Sequence, residues 1–132
     1  MPVELSTDLS LLVWSVVLCI AQMLVAVLAA LLQVGLPALV GNHDNMPVLT
    51  GLAGRAHRAH RNMLESLALF AALVLVAQVT GNANAMTALG AQLFFWARLV
   101  YAAVYLAGIP WVRTGVWAVS MAGLVLIVLQ LV

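Results

Sequence analysis

The sequence predicts an all-α integral membrane protein, an up-and-down bundle of four transmembrane helices. Of its 132 residues, 66% are hydrophobic and 7% are charged, and the mean hydropathy is +1.16. Such a chain dissolves in lipid and not in water, which excludes ordinary soluble enzyme folds. The apolar residues also fall into four long blocks. Each block can cross a hydrocarbon layer ~30 Å thick as a tilted helix.

These blocks form a single predicted domain over residues 1–132, with helices expected at about 9–36, 58–79, 85–107 and 112–132. The second connection, residues 80–84, is a short uncharged turn, and the third contains the helix breakers Gly108 and Pro110. Short connections make neighbouring helices antiparallel. Only the first connection, residues 40–54, is long enough to form a lid, and it contains Asn42, His43 and Asp44.

The arginines predict the orientation of the bundle in the membrane. Arg55, Arg58 and Arg61 flank the start of the second predicted helix, and Arg113 lies at the start of the fourth. The first ten residues carry only acidic charges. Cytoplasmic connections are enriched in positive charge, so we expect the first and third connections to face the cytoplasm. Both termini would then lie on the non-cytoplasmic side.

The second predicted helix carries a row of polar residues. Its members are spaced i, i+3, i+4 and i+7, which places them on one helix face: Arg58, Arg61, Asn62 and Glu65. If this helix begins near Arg58, Glu65 lies about 10 Å inside it. A carboxylate at that depth costs on the order of 3 kcal/mol unless it is paired. Arg61, one turn earlier, is the expected partner.

A matching row lies on the third predicted helix, where Arg98, Tyr101 and Tyr105 are spaced i, i+3 and i+7. Because neighbouring helices are antiparallel, we expect Glu65, Tyr101 and Arg98 to share a layer. The resulting pocket would be rich in guanidinium groups and lined by phenols. It suits an anionic ligand with more than one carboxylate, and the surrounding lipid suits an apolar second substrate.

Two segments resemble a known family. RAHRNMLES is similar to the Arg-x-x-x-Asn-x-x-Glu signature of the MAPEG superfamily, membrane-associated proteins in eicosanoid and glutathione metabolism, with Arg58, Asn62 and Glu65 in the signature positions. RLVYAAVYLAGIPWVR resembles the arginine and tyrosine pattern of the family's third helix. The likeness is to a bacterial-type member similar to microsomal glutathione transferase. It implies a homotrimer in a bacterial inner membrane that binds glutathione, as co-substrate, between subunits near the cytoplasmic face.

The resemblance also implies a role for each site residue. Seven residues would bind glutathione: Arg58, Arg61, Asn62, Glu65, Arg98, Tyr101 and Tyr105. Arg113 would be catalytic, because a guanidinium beside the thiol lowers the thiol's pKa and supplies a thiolate at neutral pH. The implied activity is that of a glutathione transferase or peroxidase. Its thiolate would attack a hydrophobic electrophile or hydroperoxide that enters from the bilayer.

Three positions depart from the family pattern. Met63 stands where an acid commonly follows the asparagine, and Gln33 stands where better known members have an arginine that helps to hold glutathione from the next subunit. Trp117 stands where a phenol is expected. Fewer cations imply weaker glutathione binding or a different ligand.

Other interpretations remain open from the residues alone. The arginines of the second helix can serve as topology anchors, and Arg61 with Glu65 can be a structural ion pair. A non-catalytic scaffold or lipid-binding protein of the same fold is one alternative function. A small proton-coupled transporter that uses Glu65 is another, although such exporters place their acid in the first helix.

The histidines and the single cysteine do not predict a metal site or a nucleophile. His57 and His60 have no acid or cysteine at ligand spacing, so an interfacial position is the favoured interpretation. Cys19 lies in the apolar first block, far in sequence from any base, and is expected to pack in the core or face lipid.

Overall fold

A computed structural model of the protein describes residues 6–41 and 47–132, and these residues are helical apart from short connections. The helices are α1 (Thr7–Val34), α2 (Leu36–Val40), α3 (Gly51–Val79), α4 (Ala85–Ala107) and α5 (Pro110–Leu131). Within the described residues, α1, α3, α4 and α5 are long and apolar enough to cross a membrane. The prediction of four transmembrane helices is therefore confirmed. Asn42, His43 and Asp44 of the expected lid lie outside the described residues.

Two helix ends differ from the expected positions. α3 begins at Gly51, seven residues before the expected start at Arg58. The intervening alanines and arginine are good helix formers, and no proline interrupts them. α1 ends at Val34, because Gly35 has a φ of 84°, which lies outside the helical region, and the short α2 then begins at Leu36 with Pro37 in its first turn.

Hydrogen bonds between helix ends fix the antiparallel arrangement. At one end of the bundle, Gln78 Nε2 donates to Ser6 Oγ at 3.1 Å, and Asn84 Nδ2 donates to Gln130 Oε1 at 3.0 Å. At the other end, Arg55 Nε donates to the carbonyl oxygen of Leu106 at 3.1 Å. The first and third connections therefore share one end, as the alternation of four helices requires.

The apolar core lies in the half of the bundle away from the arginines. Phe70 of α3 stacks on Phe94 of α4 with ring centroids 4.2 Å apart, and both side chains are fully buried. Met63, Val74 and Ile127 are fully buried beside them, and Cys19 packs in the same cluster. The thiol is thus part of the core, which agrees with the interpretation of Cys19 as a packing residue.

α4 and α5 approach each other closely at Gly90 and Gly123. A Cβ atom added to either glycine would lie 2.6 Å from the carbonyl oxygen of the other. Small residues allow this kind of backbone contact in membrane bundles, where lipid provides no hydrophobic drive for helices to associate. The pair brings α5 close to α4 along its length, and α5 carries Arg113 at its start.

Candidate functional site

The polar rows of α3 and α4 meet around Arg98, which is only 1% exposed. Its Nη2 donates to Asn62 Oδ1 at 2.7 Å, and its guanidinium carbon lies 4.1 Å from the ring centroid of Tyr101. Arg98 Nε and Nη1 have no hydrogen-bond partner among the described residues. A buried cation normally has an anionic partner, and the described part of the chain gives Arg98 none. The arrangement therefore favours an anion or ordered water at these two nitrogen atoms.

Tyr105 connects this pair to two more arginines. Arg58 Nε donates to the Tyr105 hydroxyl at 3.2 Å, and the Arg113 guanidinium carbon lies 4.6 Å from the centroid of the Tyr105 ring. The rings of Tyr101 and Tyr105 are 5.5 Å apart. Because the Tyr105 oxygen accepts from Arg58, its own proton is free to be donated to a ligand.

The turn between α4 and α5 explains how Arg113 reaches Tyr105. Gly108 ends α4 in the left-handed conformation, with φ 78° and ψ 30°, and Pro110 begins α5 at a position where a missing N–H costs nothing. The chain therefore reverses within a few residues. The first turn of α5, with Arg113, packs beside the last turn of α4, with Tyr105.

Arg55 holds the same turn from the other side, which the sequence analysis did not anticipate. Its bond to the Leu106 carbonyl occupies an acceptor that the end of α4 would otherwise leave unpaired. A cation at a helix C-terminus also interacts favourably with the helix dipole. One signal for this contact was present in the sequence. The last turn of α4 contains no basic residue, so its carbonyl groups need a donor from another helix.

The structure brings six of the eight predicted site residues into one continuous set of contacts, the arginine–tyrosine cluster: Arg58, Asn62, Arg98, Tyr101, Tyr105 and Arg113. Arg61 and Glu65 are placed differently. They form the expected ion pair, with Arg61 Nε 3.5 Å from Glu65 Oε1, but their side chains are 74% and 68% exposed.

The prediction that Glu65, Tyr101 and Arg98 share a layer must therefore be corrected for the single chain. Asn62, one turn earlier on α3, lies against Arg98 instead, and Glu65 faces the outside of the bundle. Exposing an ion pair to lipid costs free energy. This face of α3 is therefore expected to be covered by another protein surface.

Gln33 has a specific structural role in this chain. Its Nε2 donates to the Val48 carbonyl oxygen at 3.1 Å, and its Oε1 accepts from the Thr50 N–H at 3.0 Å. The side chain thereby attaches residues 47–50, which we call the strap, to the end of α1. Gln33 is a neutral amide and cannot supply the positive charge of an arginine, and its Nε2 and Oε1 are both already hydrogen-bonded within the chain.

Within the described ranges, no group of three histidine, cysteine or acidic side chains is placed to hold a metal ion. His57 and His60 lie on the second and third turns of α3, and His60 Nε2 is buried without a hydrogen-bond partner in the described structure.

Fold and site together define a class: a four-helix integral membrane protein with a cationic, tyrosine-lined site at the end of the bundle that carries the long connection. A family model matches residues 11–132, and the chain belongs to the MAPEG family, whose members function in eicosanoid and glutathione metabolism. Comparisons with curated proteins and with solved structures gave no match.

Proposed function

We propose that the protein is a glutathione-dependent transferase or peroxidase that conjugates or reduces hydrophobic electrophiles, and that it is similar to bacterial-type members related to microsomal glutathione transferase. Family membership supports glutathione as the co-substrate. The observation that carries the proposal is the arginine–tyrosine cluster, in which buried Arg98 has two N–H-bearing nitrogens without a partner among the described residues.

The residues of the cluster fit a small peptide with two carboxylates. Arg58 and Arg98 supply guanidinium groups that bind carboxylates through paired hydrogen bonds, and Asn62 supplies an amide that can pair with a peptide group. Glutathione, when bound, supplies the thiol. Arg113 would stabilise the thiolate form, and the Tyr105 hydroxyl can donate a hydrogen bond to it.

The transfer itself needs no further cofactor. The thiolate sulfur forms a bond to the electrophilic carbon, and the leaving group departs with the electrons of the bond that breaks. In the peroxidase variant the sulfur attacks the terminal oxygen of a hydroperoxide, the O–O bond breaks, and the alkoxide takes a proton and leaves as an alcohol. The sulfur then carries a hydroxyl group, which the thiolate of a second glutathione displaces as water to form the disulfide. Lateral entry from the bilayer suits a hydrophobic second substrate.

We also propose that the protein is a homotrimer, in which a neighbouring subunit covers Arg61 and Glu65. The support is the cost of leaving a largely exposed ion pair against lipid. Light scattering of the detergent-purified protein, corrected for bound detergent, measures the subunit number. A monomer would contradict the proposal.

The proposed location is a bacterial inner membrane, with the arginine-rich end of the bundle in the cytoplasm. The two ends can be distinguished with single cysteines in a Cys19→Ser background, at Asn82 in the second turn and at Val48 in the strap, both exposed. An impermeant maleimide applied to intact spheroplasts should label Asn82→Cys only. Labelling of Val48→Cys alone would reverse the orientation.

The function is tested by titrating the purified protein with glutathione across pH 6 to 9 and following thiolate absorbance in the ultraviolet. We expect a saturable thiolate signal in the natural protein. Arg113→Ala should still bind glutathione, as measured by calorimetry, but lose the thiolate signal at neutral pH, and Arg113→Lys should retain part of it. Absence of binding at millimolar glutathione would refute the proposal.

A second candidate function is a non-catalytic, lipid-binding member of the family. It is favoured by one observation, the use of Gln33 to hold the strap where a ligand-binding arginine is expected. The transporter alternative gains no such support, since Glu65 is paired and faces outward. An intact trimer without a thiolate signal would favour the lipid-binding candidate.

A further inference from the structure

A groove with a volume of about 730 Å³ lies between α1, α3 and the strap. Small-molecule sites in proteins have volumes of this order. Its long wall is apolar and is formed by one face of α1, namely Met23, Ala26, Val27 and Ala30, and the strap residues Pro47, Val48 and Leu49 cover one end. Val27 is 54% exposed, so the wall is continuous with the outer surface of the subunit. We call this cavity the strap groove.

The polar lining of the strap groove comes from α3. His57, Arg58 and His60 face the groove, and none of the described lining residues is acidic. His60 Nε2 is buried and has no hydrogen-bond partner in the part of the chain that the structure describes. The groove therefore offers hydrogen-bond donors and positive charge at one end and only hydrocarbon along its length.

The depth of these polar residues matches the head-group region of a bilayer. α3 has 29 residues and is about 43 Å long, which exceeds the ~30 Å hydrocarbon layer by about 13 Å. If the excess lies at the arginine-rich end, roughly the first nine residues of α3 are at the level of lipid phosphates. His57 and Arg58, the seventh and eighth residues of the helix, lie within this range, and His60, the tenth, lies at its inner boundary.

We propose that the strap groove is a binding site for an anionic phospholipid. One acyl chain lies along the α1 wall, and the phosphate accepts hydrogen bonds from His57, Arg58 and His60. Basic pockets between transmembrane helices bind anionic head groups by this combination of charge and shape. The site is separate from the proposed thiol chemistry, although Arg58 borders both, since its Nε also donates to Tyr105.

The test uses native mass spectrometry of the whole protein, released from neutral-detergent micelles that contain either phosphatidylglycerol or phosphatidylcholine with identical acyl chains. We expect phosphatidylglycerol to be retained preferentially. His60→Phe keeps the ring but removes the donor, so its affinity for phosphatidylglycerol should fall about tenfold, the effect of losing one hydrogen bond to a charged group.

Two tryptophan variants separate the groove from the general lipid-facing surface. Val27→Trp places an indole in the groove wall and should abolish the preference for phosphatidylglycerol. Leu28→Trp, at the neighbouring position, is a matched control, because Leu28 is 57% exposed and does not line the groove. This variant should bind like the natural protein, and both variants should leave glutathione binding unchanged.

Three results would overturn the proposal. The first is equal retention of the two lipids, and the second is equal loss in Val27→Trp and Leu28→Trp. The third is displacement of phosphatidylglycerol by equimolar oleate, which would make the ligand a single-chain carboxylate instead of a phospholipid.

Discussion

Arg98 of α4 donates from Nη2 to the side-chain oxygen of Asn62 on α3 at 2.7 Å. Both residues lie well inside membrane-spanning helices, and Arg98 is almost completely buried. An amide oxygen orients the guanidinium but does not neutralise it. The pair therefore leaves a full positive charge inside the bundle, oriented but without an anionic partner among the described residues.

Asn62→Asp tests whether this charge is used for binding. The substitution keeps the shape of the side chain and gives Arg98 a carboxylate partner. We expect glutathione affinity to fall at least about tenfold while thermal stability stays equal or increases. Calorimetric titration and a thermal unfolding scan measure the two quantities. Asn82→Asp, in the exposed turn at the opposite end of the bundle, is the control. Equal glutathione affinity in the two variants would show that Arg98 has only a structural role.

Tyr105→Phe removes the hydroxyl that accepts from Arg58 and keeps the ring that contacts Arg113. We expect the free energy of unfolding to fall by roughly 1 kcal/mol, because one partly buried hydrogen bond is lost. Turnover of a model electrophile with glutathione should fall more than this small destabilisation explains. Ser120→Ala is the matched control, since it also removes a partly buried hydroxyl, one that donates to the Trp117 carbonyl oxygen within α5 and lies outside the cluster. Unchanged turnover in Tyr105→Phe would argue against a role of the hydroxyl in the reaction.

Glu65→Gln removes one charge from the exposed pair with Arg61. Because the pair joins two residues four positions apart on the same helix, it connects no two helices and its loss should leave the fold of a subunit intact. We expect weaker glutathione binding with the trimer intact, measured by titration and light scattering. Leu64→Ala, beside it on the same helix, is the control. Dissociation of the subunits in Glu65→Gln alone would make the ion pair a structural element of the interface.

Gln33→Ala removes both hydrogen bonds that attach the strap to α1. The Thr50 N–H loses its acceptor, so its hydrogen exchange should become faster, and cleavage of the strap by an added protease should increase. Hydrogen exchange measured by mass spectrometry on peptides that contain Thr50 follows the change. Leu32→Ala, at a neighbouring exposed position, should have no effect. Protection of Thr50 that persists in Gln33→Ala would mean that other contacts hold the strap.

Gly123→Ala should destabilise the contact between α4 and α5. The new methyl group would lie 2.6 Å from the Gly90 carbonyl oxygen and 3.0 Å from the Phe94 nitrogen, and backbone atoms of a helix cannot move aside as side chains can. Overpacking of this kind costs about 1 to 3 kcal/mol. Gly115→Ala is the control on the same helix, since its added Cβ meets nothing within 4 Å. Equal unfolding temperatures for the two variants would contradict the close packing of Gly90 and Gly123.

Much of the candidate site could be predicted from spacing. Arg98, Tyr101 and Tyr105 are one helical turn apart, so a shared face follows from helix geometry alone. The same rule placed Asn62 and Glu65 on a common face of α3, but it could not distinguish which of them meets α4. That choice depends on the rotation of α3 about its axis, which is set by packing on α1 and α4.

Two other contacts, those of Gln33 and Arg55, could not be predicted from the neighbouring sequence. The role of Gln33 depends on where the strap returns to α1, fifteen residues later in the chain. The cap that Arg55 places on α4 joins residues 51 positions apart. Contacts at such separations are consequences of the assembled bundle.

The sequence by itself determined the fold class, the number of membrane-spanning helices and their antiparallel order, because the hydrocarbon layer fixes helix length and short connections fix neighbours. Only the tertiary structure decided which polar residues meet. Six of them form the arginine–tyrosine cluster, whereas Arg61 and Glu65 face outward. The physical reason is that helix periodicity gives only the face of a side chain, and the packing of side chains between helices decides what that face contacts.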